Sequence, residues 1–311
     1  MRRINESTAS SAAPRRRVRG LAGAILLVAA FAAYADDAGG QHYGPIVDKV
    51  VYEVRTDQTQ AVKDIVKGKA DFMMQAVPST ILDGLSAADR SKLDIYTVPS
   101  GSWSILLNPI PNKAPYTWTE PKTGKTSFNP LAIREVRFAL NWLFSRKRMV
   151  DDILKGNGEP VYTPMTQGQP GTYRYNLIPA RYGVSPEGDE AKALADIEAA
   201  MTAASRLTEN KGKLVKGADG FWKYDGKDVS VKFLMRADDP NGRLAAGRYM
   251  AAQIEKAGIK VDRLERDRSA VAIAYYSDPA ELQFHLYTES WGAGATRAWW
   301  DVSISQMYAP Y

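Results

Sequence analysis

The chain has 311 residues, no cysteine, two histidines and a formal net charge of +6. Without cysteine there are no disulfides, thiolate metal sites, thiol nucleophiles or lipid-modified N-terminal Cys, and His42 and His285 stand too far apart in sequence to suggest a histidine metal or catalytic cluster. The charge does not point to nucleic acid, because residues 1–35 carry six Arg and one Glu, which takes five of the six net charges and leaves residues 36–311 near +1, with no basic stripe interleaved with aromatics.

From the N-terminus, Arg15, Arg16, Arg17 and Arg19 form a basic segment and Leu21 to Ala33 an apolar run. Ala33-Tyr34-Ala35 then makes a small-x-small site before Asp36. This is the pattern of a cleavable secretory signal peptide over 1–35. A membrane-spanning helix needs about 20 apolar residues, more than this run supplies. An exported, periplasmic protein that is not a lipoprotein is expected, with Sec and twin-arginine export both open.

Beyond a polar leader, Asp36 to Gly44, strand and helix patterns alternate. Lys49 to Arg55 alternates as a strand, Gln58 to Lys67 reads as a helix closed by Gly68, and Asp71 to Val77 as strand again, a βαβ unit. A helix over Ser79 to Leu93 leads to strands over Asp94 to Val98 and Trp103 to Asn108. Pro109 to Phe128, rich in Pro, Thr, Lys and Asn and without periodicity, reads as a surface connection.

A long amphipathic helix then follows the cap Asn129 and Pro130. Leu131, Val136, Ala139, Leu140, Leu143, Val150, Ile153 and Leu154 carry its stripe, and it stops at Gly156. Gly158 and Pro160 turn the chain into an extended segment, Val161 to Pro164. Glu187 to Arg206 reads as a helix, and Lys213 to Leu234 as a hairpin with turn signals at Asp219-Gly220 and Asp225-Gly226. Asn241 to Ala257 reads as a helix ended by Gly258, Ile259 to Leu264 as a strand, and Phe284 to Trp291 as a last strand running into Gly292-Ala293-Gly294.

The run from Asn129 to Pro164, with QAVKDIVKGKADF at residues 60–72 and the helix-to-strand step KAGIKV at 256–261, resembles the family 5 solute-binding proteins of ABC importers. Members of that family receive peptides, nickel complexes or oligosaccharides. The resemblance covers about Ile46 to Trp300. It implies an α/β, type II periplasmic-binding-protein-like fold of two lobes with a hinge: a lobe I portion over 36–108, an interlobe connection over 109–128 and a lobe II portion over 129–311. Members usually carry well over a hundred residues ahead of the first βαβ unit, and here the chain ends just past a strand with no segment to recross, so a chain incomplete at its C-terminus is expected.

No nucleophile-elbow, Walker or dinucleotide glycine motif is present. His285 lies in a strand pattern and reads as a packed histidine. Asp151-Asp152, Asp238-Asp239 and Glu265 with Asp267 read as solvated carboxylates, and the Asp219, Asp225, Asp228 spacing misses the calcium-loop pattern, so neither metal nor cofactor is expected. Seven Trp and sixteen Tyr are the remaining signal, and Trp142, inside the long helix, reads as core. Trp103 opens a strand beside the hinge and Trp291 ends one before a glycine-rich turn, at the strand ends where open α/β sheets take ligands.

The resemblance implies no enzyme but a monomeric substrate-binding component. It would capture a peptide or oligosaccharide in the interlobe cleft and deliver it to an inner-membrane ABC permease, without nucleic acid. Trp103, Asn108, Glu289, Trp291 and Gly292 are the candidate ligand residues, with Thr288 beside them. Peptide-binding relatives place an Asp shortly after the Gly-Trp strand end, whereas Trp291 is followed by Gly292, Ala293, Gly294 and Ala295. The alternative is a secreted glycan-acting hydrolase using paired carboxylates, with Glu289 as the acid.

Overall fold

The computed structural model describes residues 47–96, 101–163, 172–175, 177–239 and 242–292. Residues up to Thr56 and residues from Asp57 onward form two separate compact units. The first shows, among its described residues, no helix or strand. Its Val50, Val51, Tyr52 and Val54 are exposed, so the expected strand over Lys49 to Arg55 is absent. Asp71 to Val77 likewise lies outside any ladder, with Phe72 and Met74 exposed. A period-2 pattern states which side of a strand is apolar but supplies no pairing partner, and without one an extended segment is not a strand.

The second unit begins with α1 (Gln58–Val66), which starts as expected: the Asp57 side chain accepts from the Gln60 N–H at 3.0 Å. Gly68, at φ 68°, supplies the left-handed residue after the helix. The helix expected over Ser79 to Leu93 is instead α2 (Ser79–Asp83) and α3 (Ala87–Arg90), because Ser86 between them caps α3 through the Asp89 N–H at 3.1 Å. Asp94 to Tyr96 is not strand, and Thr97 and Val98 lie outside the described residues.

The main sheet has the order β1 (Gly101–Leu107), β9 (Leu286–Gly292), β7 (Ser230–Arg236), β8 (Lys260–Arg266). β7 is parallel to both β8 and β9, and β1 runs antiparallel to β9 along its whole length. Two helical crossovers build the parallel part. α6 (Arg243–Lys256) joins β7 to β8 on one face, where Met250 and Ile254 pack with Phe233, Met235 and Leu286. α7 (Ala270–Tyr276) joins β8 to β9 on the other, where Ala270 and Ile273 pack with Leu234, Phe284 and Tyr287. The result is a doubly wound α/β sheet covered on both faces. Gly247 lets α6 approach closely, since a Cβ there would stand 2.9 Å from Met235 Cγ.

Pro109 to Phe128, expected to be aperiodic, contains a small hairpin of β2 (Thr117–Thr119) and β3 (Thr126–Phe128). The long helix expected after Asn129 is broken. A 3-10 turn over Pro130–Ala132 precedes α4 (Arg134–Leu143), then Phe144 is extended, and short helical turns follow over Arg146–Arg148 and Met149–Ile153. Ser145 explains the break, because its hydroxyl accepts from the Arg148 N–H at 3.1 Å and its own N–H donates to Tyr249 Oη at 3.0 Å. Val161 and Tyr162 follow without ladder partners, held by Arg146, whose Nε donates to the Val161 carbonyl at 2.9 Å; Pro164 lies outside the described residues.

α4 packs on α5 (Glu190–Ser205) through Val136, Leu140 and Leu143 against Ala193, Ile197 and Met201. Trp142 is buried as expected and donates to the Gly183 carbonyl at 2.8 Å. The expected hairpin is a three-stranded meander of β4 (Leu214–Lys216), β5 (Trp222–Tyr224) and β6 (Lys227–Asp228), turning at Gly220 and at Asp225-Gly226 with φ 49° and 74°.

Candidate ligand site at the carboxyl end of the sheet

β7 and β9 pair in register at Phe233 with Leu286 and at Leu234 with Tyr287. Toward their carboxyl ends side chains replace the ladder: the Arg236 N–H donates to Thr288 Oγ1 at 3.0 Å, and Arg243 Nη1 donates to the Thr288 carbonyl at 3.4 Å. Arg243 is the first residue of α6 and follows Gly242, whose φ of 100° only glycine adopts easily. A Cβ at Gly242 would also stand 2.7 Å from Ile153 Cγ2.

Arg243 is buried between two carboxylates. Its Nε lies 2.5 Å from Asp239 Oδ2 and its Nη1 3.9 Å from Glu289 Oε1. Glu289 is buried too. The Tyr275 hydroxyl donates to its Oε2, and the Ser290 N–H donates to its Oε1 at 2.6 Å. Burial pushes the Glu289 carboxyl above its ordinary range, against the opposing pull of Tyr275, Ser290, Arg243 and Arg236. Arg236 in turn grips Asp238 at 2.7 and 3.1 Å, which holds the Asp238 carboxyl below the usual range. The Trp291 ring meets the Tyr275 ring edge-on, with centroids 6.3 Å apart and planes at 89°. Its indole N–H is buried and has no hydrogen-bond partner among the described residues.

The expected ligand residues divide. Glu289 and Trp291 share the α7 face of β9 and meet at Tyr275, with Gly292 ending the same strand. Trp103 stands opposite Ser290 and packs on the α6 face with Ile105 and Leu107, so the sheet separates it from Trp291. Asn108 follows the far end of the β1–β9 ladder, six residues from the partner of Trp291, or roughly 20 Å along the strand. Its Nδ2 donates to the Pro279 carbonyl at 2.9 Å and its Oδ1 accepts from the Ile110 N–H at 3.2 Å, which ties two loops together. Thr288 is buried and bonded as described above.

His285 is the packed histidine expected. Its Nδ1 accepts from the Lys232 N–H at 3.0 Å, and burial drops its pKa to about 3. Of the carboxylates read as solvated, Asp152 and Glu265 are paired with Arg148 and Arg248, and Asp151 with Lys147. Among the described residues no three His, Asp or Glu side chains cluster to hold a metal ion. Asp239, read as solvated beside Asp238, is instead buried against Arg243, and sequence reasoning passed over Arg243 and Tyr275. The signal for Asp239 and Arg243 was their place in the loop after β7, at the carboxyl end of a parallel strand.

A family model described as bacterial extracellular solute-binding proteins, family 5 Middle, matches residues 27–306. Among solved structures, a periplasmic oligopeptide-binding protein of an oligopeptide ABC transporter from Thermotoga maritima aligns at 17% identity and TM-score 0.51, over 84% of this chain and 44% of that one. A mannohexaose-bound structure of that protein aligns at 17% identity and TM-score 0.50, over 81% and 43%. The ABC transporter substrate-binding protein CtaP from Listeria monocytogenes aligns at 11% identity and TM-score 0.50, over 76% and 38%. These likenesses show the fold, that of the periplasmic binding proteins. The chain spans less than half the length of these structures. No curated protein matches the chain.

Proposed function

We propose, because this chain belongs to the bacterial extracellular solute-binding proteins of family 5, that it is the substrate-binding component of an ABC importer, taking a peptide or an oligosaccharide in an interlobe cleft. In this reading the protein is exported by the signal peptide over 1–35, works as a monomer, closes about a hinge on its ligand and hands the closed form to a membrane permease. Lobe I falls over 36–108, the connection over 109–128 and lobe II over 129–311. β1, though it precedes the connection, completes the sheet of the residues that follow it.

The observation that carries the reading is the aromatic corner of Trp291 and Tyr275 at the carboxyl end of a doubly wound sheet, where such sheets take ligands. A flat indole there suits stacking on a sugar ring or packing on a side chain. Its N–H, without a partner among the described residues, adds a donor for a ligand acceptor, and a buried donor left unsatisfied costs about 1–3 kcal/mol. Glu289, the acid in a glycan-hydrolase reading, has its oxygens engaged by Tyr275 and Ser290 and its charge faced by Arg243. That favours binding over turnover.

Titration calorimetry of the full chain with mannohexaose and with a nonapeptide tests the proposal. Saturable heat with at least one probe, and no product by chromatography, is expected. Cleavage of the saccharide would favour the hydrolase, and no binding across panels of both classes would remove the transport reading.

A further inference from the structure

The Glu289 carboxylate is used inside the protein. On the α7 face of the sheet its Oε2 accepts from the Tyr275 hydroxyl and its Oε1 from the Ser290 N–H. Behind it stands Arg243, whose guanidinium is anchored by Asp239. The three charged side chains retain only 6%, 8% and 9% of their surface, in the order Arg243, Glu289, Asp239, so a ligand meets them through whatever they hold in place. What they hold is Tyr275. Its ring stands edge-on to Tyr287 at 6.4 Å and 90°, and edge-on to Trp291 at 6.3 Å and 89°.

Tyr275 is the next-to-last residue of α7, a helix of seven residues, and its ring packs beside Tyr287 and Trp291 while its hydroxyl reaches across to β9. The hydroxyl bond to Glu289 ties it. Trp291 and Glu289 are two apart on β9, so the same strand that presents the indole also presents the carboxylate that fixes the ring beside it.

We infer that Glu289 is a positioning residue for the Trp291 ligand platform: by holding the Tyr275 hydroxyl it sets the edge of Tyr275 against Trp291, and so couples the indole to the Arg243–Asp239 pair. The ligand part of this inference rests on the proposed function; the coupling itself does not. It assigns Glu289 neither direct ligand contact nor proton donation to a glycosidic bond.

The charged and titratable groups facing Glu289 are Arg243 at the start of α6, Arg236 at the end of β7, Tyr275 on α7 and Tyr287 on β9, with Asp239 paired to Arg243 and Asp238 to Arg236. Asp238 is held low by Arg236 while burial holds Glu289 high, so protonation of Glu289 precedes that of Asp238 as pH falls. The test is a pH titration of the full chain carrying 5-fluorotryptophan, followed by fluorine NMR, with the Trp291 signal identified by its loss in Trp291→Phe. The Trp291 signal should move with a midpoint above the ordinary glutamate range. The movement should vanish in Glu289→Gln and in Tyr275→Phe, the second of which keeps the ring and removes only the hydroxyl.

A Trp291 signal that is flat with pH in the folded parent overturns the inference, as does one that titrates unchanged in Tyr275→Phe. If Glu289→Gln does not fold, the Tyr275→Phe comparison still decides. Calorimetry with mannohexaose and with a nonapeptide adds the ligand side: Tyr275→Phe should weaken whichever probe binds about fivefold, the effect of one hydrogen bond. Failure of both probes to bind the parent counts against the transport reading alone, because the NMR criterion needs no ligand.

Discussion

Ser102, not Trp103, stands opposite Trp291 in the β1–β9 ladder, and the one-residue offset puts the two tryptophans on opposite faces of the sheet. Directly opposed residues share a face and their neighbours take the other. Trp291 therefore belongs with Glu289 and Tyr275, and Trp103 with Ile105, Leu107 and the core under α6.

Different consequences follow for the two rings. Trp291→Ala should weaken a bound saccharide or peptide about tenfold or more while the circular dichroism stays intact, since one stacked ring contributes about 1–2 kcal/mol. Trp103→Ala should lower the urea midpoint, at a cost of about 2 kcal/mol, and leave affinity within about twofold. Equal loss of affinity in both variants would place a single ligand against both rings and contradict the separation.

Gly242 sets the direction in which Arg243 leaves the loop, and both its φ of 100° and its contact with Ile153 exclude a side chain. Gly242→Ala should destabilise the fold by about 1–3 kcal/mol in urea denaturation and shift the Trp291 fluorine signal through the displaced guanidinium. Parent-like stability would mean that the loop relaxes without strain.

His285 gives the fold a pH dependence of definite sign. Its folded pKa of about 3 lies below the unfolded value of 6.5, so between these values the unfolded chain binds the extra proton and stability falls as pH falls. The contribution is complete above pH 6.5 and amounts to about 5 kcal/mol at most. His285→Asn keeps an acceptor for the Lys232 N–H and removes the titration. Its urea midpoint should change less than the parent's between pH 7 and pH 4, and identical slopes would assign the acid sensitivity elsewhere.

Much of this architecture was legible in the sequence because its signals are local. The Gly258 stop after α6 and the turn pairs of the meander each lie within a few residues, and both are present. The shared face of Glu289 and Trp291 was legible for the same reason, being two apart on one strand. The separation of Trp103 from Trp291 was not, since register is set by pairing across more than 180 residues. Asp239 and Arg243, four apart, look like any surface ion pair, and only the tertiary fold buries them. The long helix after Asn129 failed at Ser145, whose hydroxyl offers the backbone a competing bond that an apolar stripe does not register.

The last expectation concerns the extended segments that failed to become strands. Lys49 to Arg55 carries Val50, Tyr52 and Val54 and Asp71 to Val77 carries Phe72 and Met74, yet all five side chains are exposed at 59% or more. Apolar extended segments with unpaired backbone groups associate with one another or with any free sheet edge. The full chain should therefore self-associate as its concentration rises, with a rising mean mass in light scattering. Substituting Tyr52→Lys with Val54→Lys, or Phe72→Lys with Met74→Lys, should suppress the association and leave the α4–α5 and main-sheet core unchanged by circular dichroism. A parent chain that stays monodisperse over a hundredfold range of concentration would show that these segments are covered in solution, and would argue for pairing partners that neither period nor composition reveals.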